Sequence, residues 1–172
     1  MTTAGDDKVL ILFRHGKAGE GSPDERRELT GRGRRDSRAA GSWLREQGLG
    51  PELVLCSPAV RTRQTWDQAV EGGACGERVQ YPEHLYNARP DAVLQEVRES
   101  AGEAQVVLVV GHNPTMALLA SQLCEGDGSG PAHEVLASGF PTASVAVLRY
   151  AGPWGELGTG TARLERCHVC RG

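Results

Sequence analysis

The chain has 172 residues, enough for one domain with a substantial core and short for two. A hydrophobic fraction of 39% and a charged fraction of 24% exclude a disordered or membrane class, and a net charge of -3 leaves no excess of cations to neutralise nucleic-acid phosphates. The start, MTTAGDDK, is polar and acidic where a signal peptide needs a basic and then an apolar segment. The longest aliphatic run, VVLVV at 106–110, is too short to span a bilayer. A single cytoplasmic domain over residues 1–172, ordered from about 8 to 170, is therefore expected, with neither nucleic acid nor membrane as partner.

Short aliphatic runs alternate with longer segments of helical period, the pattern of an α/β domain with a mostly parallel sheet. Strands are expected at 9–13, 53–56, 79–81, 106–110, 144–150 and 162–166. The first and fourth are apolar throughout and belong at the centre of a sheet covered on both faces. Thr30 can cap a helix running to about Gln47, with Ala39, Ala40, Trp43 and Leu44 on one face and Gly48 as its stop. Ser57-Pro58 opens a second helix, with Pro at a tolerated first position, and Arg89-Pro90 a third, carrying Val93, Leu94 and Val97. Asn113-Pro114 opens a fourth, with Met116, Leu119, Ala120 and Leu123 inward. EGGACGE and EGDGSGPAHE read as surface loops, and GDGSG lacks the strand-to-helix context of a dinucleotide loop.

In open α/β sheets, ligand sites lie beyond the carboxyl ends of the strands. Three such ends here carry unusual chemistry. The first ends in Arg14-His15-Gly16, the second in Ser57-Pro58 with Arg61 soon after, and the fourth in Gly111-His112-Asn113-Pro114. His15 and His112, 97 residues apart (112 minus 15), occupy equivalent places. If their strands are neighbours, about 4.8 Å apart, both imidazoles can meet over one small ligand.

Arg14, Arg61 and two imidazoles supply many donors and no carboxylate, which describes an anion pocket. Sulfate or carboxylate would fit, but phosphate is the common biological case. Arginines and helix termini suffice for binding; a histidine at the strand end adds a nucleophile. Neutral imidazole can attack phosphorus and form a phosphohistidine that water then hydrolyses. Nearby positive charge disfavours imidazolium and stabilises the transferring phosphoryl group, a reaction that needs no metal or other cofactor. His84, His133 and His168 are expected to be structural, Arg63 and Gln64 to be solvent-facing or supporting groups, and most arginines of RRELTGRGRRDSR to line a solvated helix face. Five Cys is an odd number without framework spacing, and Cys167 and Cys170 in CHVC have no second ligand pair, so neither disulfides nor zinc are expected.

These segments resemble the histidine phosphatase superfamily, and within it the small SixA-like phosphohistidine phosphatases. RHGKA is similar to the nucleophile motif, RRELTGRG to the Arg-x-Leu-Thr-x-x-Gly segment, CSPAVRTRQT to Ser-Pro-x-x-Arg-x-x-Gln-Thr, and VVGHNP to the second-histidine motif. The resemblance implies a three-layer α/β/α sandwich of the phosphoglycerate mutase-like kind, His15 as phosphorylated nucleophile, and Arg14, Arg61 and His112 as the phosphate pocket, with no metal. Arg27 falls near that pocket without a catalytic role. Relatives acting on phosphate esters use a Glu general acid after the third strand; here YPEHLYNARPD offers Glu83 as the candidate acid, with Asn87 the other residue at that place. Without an acid, phosphoramidates are favoured, because protonated-ring phosphohistidine leaves as neutral imidazole. The expected partner is a phosphorylated protein carrying phosphohistidine; the alternatives are a small phosphorylated substrate of a broad phosphomonoesterase and a phosphate-binding module without turnover. Short connections around the pocket leave little room for the lid insertions of a sugar-phosphate mutase.

Overall fold

The computed structural model describes residues 6–172; the first five residues, the beginning of the segment read as having no signal peptide, lie outside them. The chain runs β1 (Lys8–Arg14), α1 (Gly31–Glu46), β2 (Leu53–Cys56), α2 (Val60–Gly72), β3 (Arg78–Gln80), α3 (Pro90–Ser100), β4 (Val106–Gly111), α4 (Thr115–Cys124), α5 (Gly130–Ala137), β5 (Ser144–Tyr150) and β6 (Ala162–Val169). The six strands form one sheet in the order β3-β2-β4-β1-β5-β6. β1, β4, β2 and β3 pair in parallel, and β5 runs antiparallel to both its neighbours, β1 and β6.

The two apolar runs, 9–13 within β1 and 106–110 within β4, take the central positions, where side chains on both faces are covered. Leu10, Leu12, Val107 and Val109 pack under α3 and α4, with Ala132 and Leu136 of α5 joining the same layer. Ile11, Phe13, Leu108 and Val110 pack under Ala40 and Leu44 of α1 and Trp66 and Ala69 of α2. Helices on both faces give the three-layer α/β/α sandwich expected from the sequence. Burial of such aliphatic side chains contributes roughly 1.5–3 kcal/mol each. Among the described residues no helix is long and apolar enough to cross a membrane.

The local signals act where the residues place them. Thr30 Oγ1 accepts from Gly33 N at 3.0 Å and starts α1, and Gly48, just beyond its end, takes φ of +70°. α1 and α2 approach so closely that a Cβ on Gly41 would lie 1.8 Å from the Ala69 carbonyl oxygen.

Some expectations need correction. α2 begins at Val60, after Ser57-Pro58, because Ser57 N–H still donates to Val110 O at 3.1 Å and continues the ladder. Part of EGDGSGPAHE, read as a loop, is α5: Ser129 caps it through Ala132 N, and its short apolar face was masked by the glycines before it. β6 continues past 166 to Val169, and Cys167 and Cys170 pack into opposite layers of the core.

Candidate active site

β4 returns to the gap between β1 and β2, so the carboxyl ends of β1, β2 and β4 lie side by side. His15 directly follows β1, and its backbone carries the sheet one step further: its N–H donates to Gly111 O at 3.1 Å and its carbonyl accepts from Ala143 N at 3.1 Å. Gly16 N–H donates to Thr65 Oγ1 at 3.0 Å, tying the turn to α2. A Cβ on Gly16 would lie 2.5 Å from Ser37 Oγ, which explains glycine there.

The His15 ring is nearly buried, and its Nδ1 lies 2.7 Å from its neighbour's carbonyl oxygen, Gly16 O. A carbonyl only accepts, so Nδ1 carries the proton and Nε2 keeps its lone pair. Burial pushes the His15 imidazole down to about 4, with the charges of Arg61, Arg14 and Arg27 adding to it and the Gly16 hydrogen bond opposing it. The sequence reading credited the arginines with keeping this ring neutral; burial is the larger cause.

His112 follows β4 and meets His15 edge-on, ring centroids 5.4 Å apart. Its Nε2 lies 2.7 Å from Ser57 Oγ at the end of β2. Burial pushes it down to about 3, helped by His15 and Arg61. Arg14 donates from Nη1 to Phe140 O at 3.0 Å. Arg61, in the first turn of α2, is buried and reaches Asp24: Nη1 donates to Asp24 O at 2.9 Å and Nη2 to Asp24 Oδ2 at 3.1 Å. Three buried nitrogens here have no hydrogen-bond partner: Arg14 Nε, Arg61 Nε and His112 Nδ1. Buried donors of this kind fit an anion that accepts from them.

Asp24 carries no signal in its local residues, and its carboxylate corrects the expectation that the pocket has none. Asp24 sits on a loop pinched at its base by Gly19 N–Glu28 O (2.8 Å) and Thr30 N–Lys17 O (2.9 Å) and pinned by Gln64 Oε1, which accepts from Leu29 N at 2.8 Å. Arg27 Nε donates to Asp24 Oδ1 at 2.9 Å, and the Tyr86 hydroxyl donates to Oδ2. The Tyr86 hydrogen bond, then that of Arg27 and the nearby Arg61, hold the Asp24 carboxyl below the usual range. Tyr86 also meets His112 edge-on at 5.8 Å. Glu83 is exposed in the short turn Glu83–Leu85. Asn87 is exposed at a φ of +46°.

The remaining candidates are structural. His84 pairs with Glu96 at 2.8 Å, His133 with Asp127 O at 3.0 Å, and His168 stacks on Trp43 at 5.1 Å. Arg63 donates to Pro58 O and covers the Tyr81 ring. Among the described residues no group of three or more His, Cys, Asp or Glu side chains is placed to hold a metal ion.

Two imidazoles and two arginines thus stand at adjoining strand ends of a three-layer α/β/α sandwich, an arrangement rich in donors for a phosphoryl group. No family profile matches the chain. It is 38% identical over 162 residues to the uncharacterized protein Rv1276c of Mycobacterium tuberculosis, covering 92% of this chain and all of that one. It is 32% identical over 126 residues to phosphohistidine phosphatase SixA of Escherichia coli, covering 69% and 75% of the two chains. A solved structure from Nakamurella multipartitia, named "putative phosphohistidine phosphatase SixA", matches with a TM-score of 0.84 and 34% identity, over 95% of this chain and 96% of that one. The chain belongs to the histidine phosphatase superfamily and, within it, to the SixA group; it is a phosphatase, a hydrolase.

Proposed function

We propose that the protein dephosphorylates phosphohistidine in other proteins through a phosphorylated His15. The observation that carries this reading is the Nδ1 hydrogen bond of His15 to Gly16 O, which leaves Nε2 free beside the unpartnered nitrogens of Arg14, Arg61 and His112. His15 Nε2 attacks phosphorus; the bond from phosphorus to the substrate's ring nitrogen breaks, and that nitrogen keeps the electron pair. With its other nitrogen protonated, the substrate imidazole leaves neutral and needs no acid. Water then attacks the phosphoryl group on His15, the N–P bond breaks, and inorganic phosphate departs. Arg14, Arg61 and His112 hold the phosphoryl oxygens, and fixed positive charge stabilises the transition state in both steps. No step requires Glu83.

Hydrolysis of a small phosphate ester is a second reading, favoured by a cavity of about 400 Å³ beside His112. Leu85, Val93, Val109, Met116 and Leu118 give it an apolar lining of a size suited to a small leaving group.

Single-turnover assays of wild type and His15→Ala, with phosphohistidine and with para-nitrophenyl phosphate at neutral pH in chelator, test both. Fast release from phosphohistidine that chelator spares and His15→Ala abolishes supports the first reading. Equal or better ester turnover moves the activity to small esters. If neither substrate turns over while phosphate still binds, the site is a reader of phosphate and the proposal fails.

A further inference from the structure

We infer that Asp24 is a built-in counter-anion for Arg61, limiting how tightly the site holds phosphate and so speeding release of the inorganic phosphate product. The inference rests on reading Arg61 as a phosphate ligand.

Asp24 grips only the end of the guanidinium. Nη1 goes to its backbone carbonyl and Nη2 to its Oδ2, while Nε, on the side edge, is buried and unpartnered. Arginine can bind a phosphate side-on through Nε and one Nη. The two anions can therefore share Arg61, Asp24 at its end and the phosphoryl group along its edge. They also repel one another.

The Arg61 side chain is 7% exposed and that of Asp24 52% exposed, so the carboxylate caps the guanidinium from the solvent side. Arg27 at Oδ1 and the Tyr86 hydroxyl at Oδ2 occupy both carboxylate oxygens and keep Asp24 ionised. Tyr86 packs against His112, and its ring lies 5.9 Å from the Arg61 guanidinium carbon, so the counter-charge is fixed from two loops.

The consequence concerns product. Inorganic phosphate carries the same oxygens that the site grips during transfer, and uniform tight binding of those oxygens would slow turnover at the release step. A fixed negative charge behind Arg61 weakens that grip throughout the cycle. A partly exposed charge pair of this kind corresponds to about a two- to fivefold change in affinity.

Asp24→Asn keeps the shape and an acceptor oxygen while removing the charge. Calorimetric titration of the full chain with inorganic phosphate, with kcat and KM on the preferred substrate, separates charge from scaffolding. The expected result is a phosphate Kd lowered about two- to fivefold, with kcat and KM falling together. A merely structural role predicts the opposite, weaker phosphate and higher KM. Tyr86→Phe leaves the Asp24 charge in place and should change phosphate Kd less than about twofold. An unchanged or weaker Kd in Asp24→Asn, or the same tightening in Tyr86→Phe, overturns the inference while leaving the hydrolysis reading intact. If neither wild type nor Asp24→Asn binds phosphate, the inference falls; absence of turnover by the wild type overturns the hydrolysis reading.

Discussion

Ser57 Oγ lies 2.7 Å from His112 Nε2, at the far side of the ring from the buried, unpartnered Nδ1. The serine fixes the plane of the His112 ring, and in the proposed mechanism that plane sets how Nδ1 meets a phosphoryl oxygen. Small misplacement of a catalytic group can cost on the order of 100-fold in rate. Ser57→Ala should therefore lower kcat about 10- to 100-fold with unchanged far-ultraviolet circular dichroism. Because Ser57 acts through His112, adding Ser57→Ala to His112→Ala should lower kcat no further. Additive losses in that cycle would place Ser57 in direct contact with substrate instead.

The two imidazoles also govern pH dependence. Burial, the leading cause for both, lowers His15 to about 4 and His112 to about 3 from 6.5. Above 6.5 both are neutral folded or unfolded. As pH falls below that value, the unfolded chain takes protons the folded one refuses, so stability is lost down to the folded values. The slope should approach about 1.4 kcal/mol per pH unit for each histidine, measured by denaturant titration between roughly pH 7 and pH 4. The acid limb of kcat/KM should fall well below 6.5; a limb near 6.5 would mean an ordinary, solvated His15.

Asn113 supports Arg14 indirectly. Its Nδ2 donates to Phe140 O at 2.9 Å and to Gly139 O at 3.1 Å, and Phe140 O also accepts from Arg14. Phe140 has φ of +51°, a left-handed conformation that a bulky residue adopts only when its surroundings hold it there. Asn113→Ala should destabilise the fold by about 1–3 kcal/mol. It should also raise KM more than it lowers kcat, because the carbonyl that anchors the guanidinium is itself held less firmly. Chemical denaturation and steady-state kinetics give the two readouts.

Gly41 is a test of packing alone. Its absent side chain lets α1 rest against the backbone of α2, and Gly41→Ala has no room, with Ala69 O 1.8 Å from the new Cβ. We expect a loss of at least about 1–3 kcal/mol and a clear drop in Tm. A wild-type Tm would show that the two helices can part.

Glu83→Gln provides the negative control for the acid. The side chain is exposed, so phosphohistidine turnover should stay within about twofold of wild type. A fall of several orders of magnitude would make Glu83 the general acid and favour ester substrates.

Much of this was legible in the residues. The uninterrupted apolar runs at β1 and β4 identified the central strands, and the histidines just past them lie together because those strands are neighbours. Asp24 and Tyr86 carried no such signal. Asp24 meets partners 37 and 62 positions away through a loop without periodicity, and nothing local reveals such a meeting. α5 was hidden for a related reason: eight residues behind a glycine-rich stretch give too few turns for a helical period to emerge.

The backbone of His15 is stitched to both neighbouring strands, through its N–H to Gly111 and its carbonyl to Ala143. Such an amide exchanges its hydrogen with solvent only when the whole sheet opens. The residue proposed as nucleophile therefore shares the lifetime of the fold rather than the looser motions of a surface loop. Amides of the turn Asp24–Arg26, which has no buried residue and joins no strand, should exchange faster.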